Sequence, residues 1–418
     1  GRLFSGTIHE GDKIYLIGAR VESRVQQVCI YMGPYREVVG YLDAGNIPAL
    51  LGLDQARAGE TISSIRDMIP FEGVKYVTEP VVTIAVEPKN SRDLPRLVDI
   101  LKKLSIEDPN LVTTINEETG EYLISGMGTL HLEIATTLIQ KTGLEIVTSK
   151  PIVMYRESIR SKAGPFEGKS PNKHNRIYIS VEPLEEEIIQ LIKDGKISEY
   201  MDKHEMAKIL REHGWPADEA RGVWSVDGTS VLVDVTKGAQ YLQEAKDMII
   251  GGYRWALKEG PLAYEPIRGL KVKISDVSLH EDPVHRGPAQ IMPMTRRAIF
   301  AAFLSADPCI LEPIQKITIK VPPELLGAAT SVITQKRGKV ISMDQKGHLA
   351  YIVGELPTAE TFDLSEALRS ATAGRAFWGL EFLRWSPVPA SMQQQVITEI
   401  RKRKGLPPEP QKAEDFIG

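Results

Sequence analysis

The sequence predicts a multidomain α+β protein: a partial β-barrel, two ferredoxin-like βαββαβ domains, and an intervening α+β domain carrying the tip loops. Three observations predict this. The chain has 418 residues, 42% of them hydrophobic and 25% charged, which fits three or four domains at roughly 100–200 residues each. The order strand, helix, strand, strand, helix, strand occurs twice, and a supersecondary unit that repeats within one chain implies two copies of one domain type. The stretch between the copies, Val153 to Glu312, follows neither pattern.

Residues 1–64 hold short β-rich runs, IYLIG, RVQQVCIYMG and REVVGYLDAG, separated by Gly and Asp turn signals. They fit part of a second, barrel-type domain, and the chain looks like a fragment that begins inside it. No signal peptide is expected. Residues 65–78 read as a linker.

The first ferredoxin-like domain spans 79–152. VVTIAVEP is a strand. SRDLPRLVDILKKLSIED is a helix, because Leu97, Ile100, Leu101 and Leu104 recur at helical spacing. LVTTINEETGEYLISGMG is a hairpin around Glu118-Thr119-Gly120. TLHLEIATTLIQKTG is a second helix closed by Gly143, and LEIVTSKP is the last strand.

Residues 153–312 contain the helical stretches LEEEIIQLIKDG and SEYMDKHEMAKILREHG and the strand pair VWSVDGTSVLVDVT. A long amphipathic helix follows, with Tyr241, Ala245, Met248, Ile249 and Ala256 on one side. KVKISDVSLH is a strand, and RGPAQIMPMTRRAIFAAFLSADP opens another helix.

The second ferredoxin-like domain spans 313–385. It has the strand QKITIKVPP, a helix ended by Gly338, the hairpin KVISMDQKGHLAYIVGELP, a helix whose start at Asp363 to Glu366 fits a capping box, and the strand FWGLEFLRWSP. Residues 386–418 form a short basic helix and a Pro-rich tail, expected to pack back on the domain at 153–312.

The formal net charge of −4 argues against a chain that is basic all over, though not against a local RNA-binding patch. Two cysteines far apart, Cys29 and Cys309, fit a reducing compartment with no disulfide framework. The apolar run Ala298 to Leu304 is far short of a membrane span.

Three motifs could carry chemistry. The loop HEDPVHRGPAQ, His280 to Gln290, puts two imidazoles, two carboxylates, an arginine and a Gly-Pro break between a strand and a helix. That content suits an exposed tip rather than a core. A zinc site would use His280, His285 and Asp282, but their spacing is not the helical HExxH, and a solvated charged loop is the plainer reading. The loop KSPNKHNR, Lys169 to Arg176, is turn-forming and basic, with Arg156, Arg160 and Lys162 upstream; phosphate backbones attract such stretches. GMGTLHLE, Gly126 to Glu133, reads as packing or a domain contact, because a lone GxG before a helix is weak evidence for phosphate binding. The GxxxxGK[ST] and NKxD patterns are absent, so this chain alone is not expected to bind GTP.

GMGTLHLEI resembles the third domain of translocating elongation factors. SPNKHNR and HxDxxHRG resemble the fourth domain of archaeal and eukaryotic elongation factor 2, and KRGKVIS with LRSATAGRAF resembles its fifth. The resemblance covers essentially the whole chain. Pro288-Ala289, where eukaryotic forms usually have two glycines, and Phe362-Asp363 look archaeal.

The resemblance implies a ribosomal translocase that moves tRNA and mRNA, with GTP and Mg2+ held in an N-terminal domain not in this sequence. It puts His285 at the position modified to diphthamide. Pro171, Lys173, His174, His280, Asp282, Arg286, Gly287 and Gln290 would be ribosome- or RNA-contacting tip residues, with Lys173, His174 and Arg286 reaching phosphates or base edges. It further implies a cytoplasmic, monomeric protein with no cofactor or catalytic residue in this chain. Its partners would be ribosomal RNA, tRNA–mRNA, the diphthamide biosynthesis enzymes and ADP-ribosylating toxins. Rival readings are a factor-2-like ribosome-assembly GTPase and, from another class, a metal-binding enzyme built on the tip histidines.

Overall fold

The computed structural model describes residues 1–56, 58–71, 80–115 and 122–417. The expected turn at Glu118-Thr119-Gly120 and much of the expected linker lie outside the described residues. Two compact units result, Gly1–Ile152 and Val153–Gly418.

The first unit opens with three small ladders. Thr7–His9 pairs with Tyr41–Asp43, Lys13–Leu16 lies between Val21–Arg24 and Ile62–Ser63, and Gln27–Met32 lies between Tyr35–Val39 and Ala49–Leu51. They share a core of Ile8, Ile14, Leu16, Val25 and Val28. Among the described residues the ladders stay separate, so the barrel is open.

The second part of this unit has the sheet order Val112–Ile115, Tyr122–Gly126, Val82–Pro88, Ile146–Thr148, the ferredoxin-like arrangement, in which the first and third strands lie side by side at the centre. Leu97, Leu101 and Leu104 on the helix Leu94–Glu107 are buried, as their spacing predicts. The two glycines of GMG do different things. A Cβ on Gly126 would meet His131 Nδ1 at 2.8 Å and Leu132 Cδ2 at 3.1 Å, so the strand end needs glycine to touch the helix Thr129–Lys141. Gly128 is extended (φ 169°), with open space where a Cβ would stand, and is not a packing residue. His131 links this turn to the rest of the domain. Its Nδ1 accepts the Met127 N–H at 3.1 Å, which leaves the proton on Nε2, 2.7 Å from Asp108 Oδ2.

The second unit is built on a five-stranded sheet in the order Ala163–Lys169, Arg176–Pro183, Leu270–Ser278, Ser230–Asp234, Val223–Asp227. Only the Leu270–Ser278 and Ser230–Asp234 pair is parallel. The helices Leu242–Lys258 and Pro288–Leu304 pack with it around Ile177, Ile179, Tyr253, Ile274, Ile291 and Phe303. They cross closely because Gly252 lacks a Cβ, which would meet Met292 O at 2.6 Å. Three shorter helices, Glu186–Lys193, Lys203–Glu212 and Ala217–Arg221, form a second core around Trp215 and Leu210. The buried Lys271 ties it to the sheet, ion-paired with Glu182 and Glu219 beneath the Trp215 ring.

Glu157, near the start of this unit, is fully buried. Its carboxylate accepts the N–H groups of Leu262, Ala263 and Glu265 at 2.8, 2.8 and 3.0 Å. Burial still pushes its pKa up to about 7 against those three bonds.

The remaining sheet has the order Phe377–Pro387, Pro308–Val321, Leu349–Pro357, Lys339–Lys346, again ferredoxin-like. Its first strand has 14 residues and pairs at its beginning with Arg156–Ile159. A division between residues 312 and 313 therefore falls inside one continuous strand, although Glu312-Pro313 interrupts the sequence pattern there and clean apolar alternation begins only at Lys316. Beside it Arg337, at φ 53°, donates to both carboxylate oxygens of the buried Glu312 (2.9 and 3.0 Å) and to Glu360 (2.8 Å). The capping box expected at Asp363 does not form. Lys336 Nζ takes the Asp363 carboxylate at 2.5 Å, and no side chain caps that helix.

The helix Ala390–Arg403 contributes Val396, Ile397 and Ile400 to the core of the five-stranded sheet. Beyond it, Phe416 stands edge-on to Phe300 at 5.4 Å, and Arg401 Nη1 donates to Leu262 O at 2.8 Å.

Candidate functional site

The strands Arg176–Pro183 and Leu270–Ser278 run antiparallel with Arg176 opposite Ser278. The loop before the first and the loop after the second must therefore emerge at the same end of the sheet. These are the two polar loops marked out by the sequence.

The first loop is a tight turn. Ser170 N–H donates to Asn175 O at 3.0 Å, and Lys173 N–H, with φ 61°, donates to Ser170 O at 2.7 Å. The Asn172 carboxamide oxygen accepts the His174 N–H at 3.1 Å, the self-capping that makes Asn a turn residue. In the second loop Asp282 caps a short 3-10 turn, Pro283–Arg286, by accepting the Val284 N–H at 3.0 Å. His280 Nδ1 accepts the Asp282 N–H at 3.1 Å. Gly287 then starts the helix Pro288–Leu304, with proline at its first position, where a missing N–H costs nothing.

The loops are bonded to each other. Asn175, fully buried, accepts the His280 N–H at 3.0 Å and donates to His285 O at 2.8 Å and Ser170 Oγ at 3.1 Å. Asn172 Nδ2 donates to the same His285 O at 3.1 Å, and Asn172 N–H donates to Gln290 Oε1 at 2.9 Å. Three imidazoles consequently meet. Ring centroids are 4.9 Å apart for His174 and His285, 5.1 Å for His174 and His280, and 4.7 Å for His280 and His285.

Pro171, Lys173, His174 and Asp282 are exposed, and His280, His285, Gly287 and Gln290 are half-buried. Arg286 does not point outward, contrary to expectation. Its side chain is only 5% exposed, donates to Glu244 Oε2 at 2.8 Å, and lies 4.2 Å over the ring of Tyr241. Its neighbours in sequence make the tip polar, but a carboxylate and an aromatic face at the start of another helix capture the guanidinium. Nor do the upstream cations form one patch. Of the three, Arg160 pairs with Asp307 at 2.9 Å, Arg156 stacks on Trp385 and Lys162 is exposed; Lys169 and Arg176, at the two ends of the loop itself, share Glu167. Lys173 is left as the outward cation of the first loop's tip.

Asn172, Asn175, Tyr241 and Glu244 were not assigned to the site from the sequence. The asparagines read as ordinary turn-formers, and the other two lie on a helix far away along the chain. Among the described residues no group of three or more His, Cys, Asp or Glu side chains is arranged to hold a metal ion, and no helix is long and apolar enough to cross a membrane.

Comparison with known proteins covers nearly the whole chain. Residues 1–63 match the family model for elongation factor Tu domain 2, 77–150 that for elongation factor G domain III, 195–307 domain IV, and 309–405 the elongation factor G C-terminus. The second histidine loop lies within the domain IV match. The domain series is that of the multidomain elongation factors. Over its full length the chain is 58% identical to elongation factor 2 of Staphylothermus marinus, 56% to that of Sulfurisphaera tokodaii and 55% to that of Aeropyrum pernix. The chain belongs to the elongation factor 2 family, and it spans 58% of the length of each of these relatives.

Proposed function

We propose that this chain is the portion of a ribosomal translocase that probes the decoding region during movement of tRNA and mRNA, with His285 as the acceptor of the diphthamide modification. The observation that carries the reading is the convergence of His174, His280 and His285 on one face made by two separate loops. A cluster of imidazoles on a hydrogen-bonded turn, beside the exposed Lys173, offers ring faces and a cation to RNA whose bases are unstacked. GTP and Mg2+ belong to a part of the full protein outside this chain, so the chain acts as a probe and lever rather than as the hydrolytic engine. Partners are ribosomal RNA, tRNA–mRNA, the enzymes that build diphthamide and, through the modified His285, ADP-ribosylating toxins. The setting is the cytoplasm, and the chain acts as a monomer.

The working division is a barrel-type second domain at 1–64, a linker at 65–78, a third domain at 79–152, and a fourth and fifth domain that meet within the strand Pro308–Val321, with the tail from 386 returning to the fourth.

Mass spectrometry of tryptic peptides from the protein purified from an archaeal host tests the reading. His285 should carry the added mass, and His285→Ala should lose it while the protein melts nearly as before, because loop substitutions away from the core usually change stability by no more than about 0.5 kcal/mol. An unmodified His285 in a host that modifies its own elongation factor 2 would refute it.

A further inference from the structure

The buried carboxamide of Asn175 serves neither a helix nor a sheet ladder. A carboxamide has two donors and one oxygen with two lone pairs. Here both donors and the oxygen end on the tip: His285 O, Ser170 Oγ and the His280 N–H. Asn172 brings a second donor to His285 O, so both lone pairs of that carbonyl are engaged. The His285 N–H is also held, by Asp282 O at 3.1 Å. The main chain of His285 is thus pinned on both sides of its side chain, and the ring lies against two other imidazoles that also touch each other.

We infer that Asn175 is a positioning residue for His285, fixing the direction in which this imidazole is offered to whatever modifies or reads it. The inference rests on the reading of His285 as the acceptor, but the fixation itself does not. It predicts that His285 behaves as a rigid ring with one open approach rather than as a mobile side chain. Loosening the peptide at 285 then changes its reactivity while the sheet beneath stays intact.

The test uses the 418-residue chain as wild type, Asn175→Asp and Asn172→Asp. Asn175→Asp keeps an oxygen for the His280 N–H and removes the donors to His285 O and Ser170 Oγ. Imidazole acylation by diethyl pyrocarbonate is followed peptide by peptide, with the exposed His348 as internal reference. The expected result is a change of about fivefold or more in the His285 rate relative to His348, the size that loss of one net hydrogen bond implies, at a melting temperature close to wild type. The same variants, expressed in an archaeal host, should carry about fivefold less modification at His285. If Asn175→Asp unfolds early, Asn172→Asp decides by the same two measurements, because Asn172 is only half-buried. Wild-type reactivity and wild-type modification in the folded variant overturn the inference. If His285 is unmodified even in the wild type, the acceptor reading fails, and the acylation rates still decide whether Asn175 positions the ring.

Discussion

Arg286 donates to Glu244 across 42 residues of sequence, and this pair turns the arginine of the histidine loop away from solvent. Glu244 itself is 62% exposed. The pair therefore anchors the loop to the helix Leu242–Lys258 rather than adding charge to the tip. Glu244→Ala leaves a buried guanidinium with one fewer partner and should cost about 1–3 kcal/mol, read by urea denaturation. Arg286→Lys should not restore the native value, since a lysine cannot both stack on Tyr241 and reach Glu244 with a planar fork.

Lys173 and Arg286 should separate in polyanion binding. Titration with poly(U) at several salt concentrations measures the number of counterions released. Lys173→Ala should flatten the salt dependence by about one phosphate contact, and a variant at Arg286 that remains folded should leave the slope unchanged. Equal slopes for wild type and Lys173→Ala would remove Lys173 from the interface.

Glu157 gives the fold a pH dependence of a definite sign. Its folded pKa, about 7, lies above its ordinary value of 4.5. Between these values the folded state holds a proton that the unfolded chain has released. Its contribution is most favourable below about 4.5, falls as pH rises toward 7, and is flat above that. Over the full window the loss is roughly 3 kcal/mol. Unfolding free energies of wild type and Glu157→Gln, measured from pH 5 to 8, should converge or diverge across this range with wild type losing ground as pH rises. A constant difference would mean that Glu157 is charged throughout.

Gly126→Ala and Gly128→Ala should differ, although the glycines are two residues apart. The first forces a Cβ into His131 and Leu132 and should cost about 1–3 kcal/mol, while the second meets open space and should stay within about 0.5 kcal/mol. Thermal melts of the two variants decide this.

Arg337→Ala should cost about 3 kcal/mol or more, because it strands Glu312, whose side chain is 4% exposed. Arg337→Lys should recover little of that, having no planar fork to meet both carboxylate oxygens of Glu312 while also reaching Glu360. Denaturant midpoints measured on both variants settle the comparison.

The elements were legible where local pattern decides structure. Leu97, Leu101 and Leu104 at helical spacing, and the alternation of Ile317, Ile319 and Val321 in QKITIKVPP, report which face is buried. The histidine loops were legible because Ser170-Pro171-Asn172 cannot continue a strand or helix and the second loop holds a Gly-Pro break, Gly287-Pro288. What escaped depends on residues distant in sequence. Arg286 looks solvent-directed until Tyr241 and Glu244 arrive from another helix. Asn175 looks like a turn residue until the second loop fills its hydrogen bonds, and Asp363 looks like a cap until Lys336 takes its carboxylate. The division at 312 looked natural because the repeat of strand and helix starts there, yet the ladder with Arg156–Ile159 begins four residues earlier.

That 14-residue strand, Pro308–Val321, carries a mechanical consequence. At about 3.3 Å per residue it is a bar some 45 Å long. Its beginning is stitched to Arg156–Ile159, and most of its length is stitched to Phe377–Pro387 and Leu349–Pro357. Bending between the two halves of this unit would shear ladder hydrogen bonds on both sides at once, so a load reaching this strand passes to the last sheet as torque, with the register shift between Ile314 and Gln315 as the place where the beam can give.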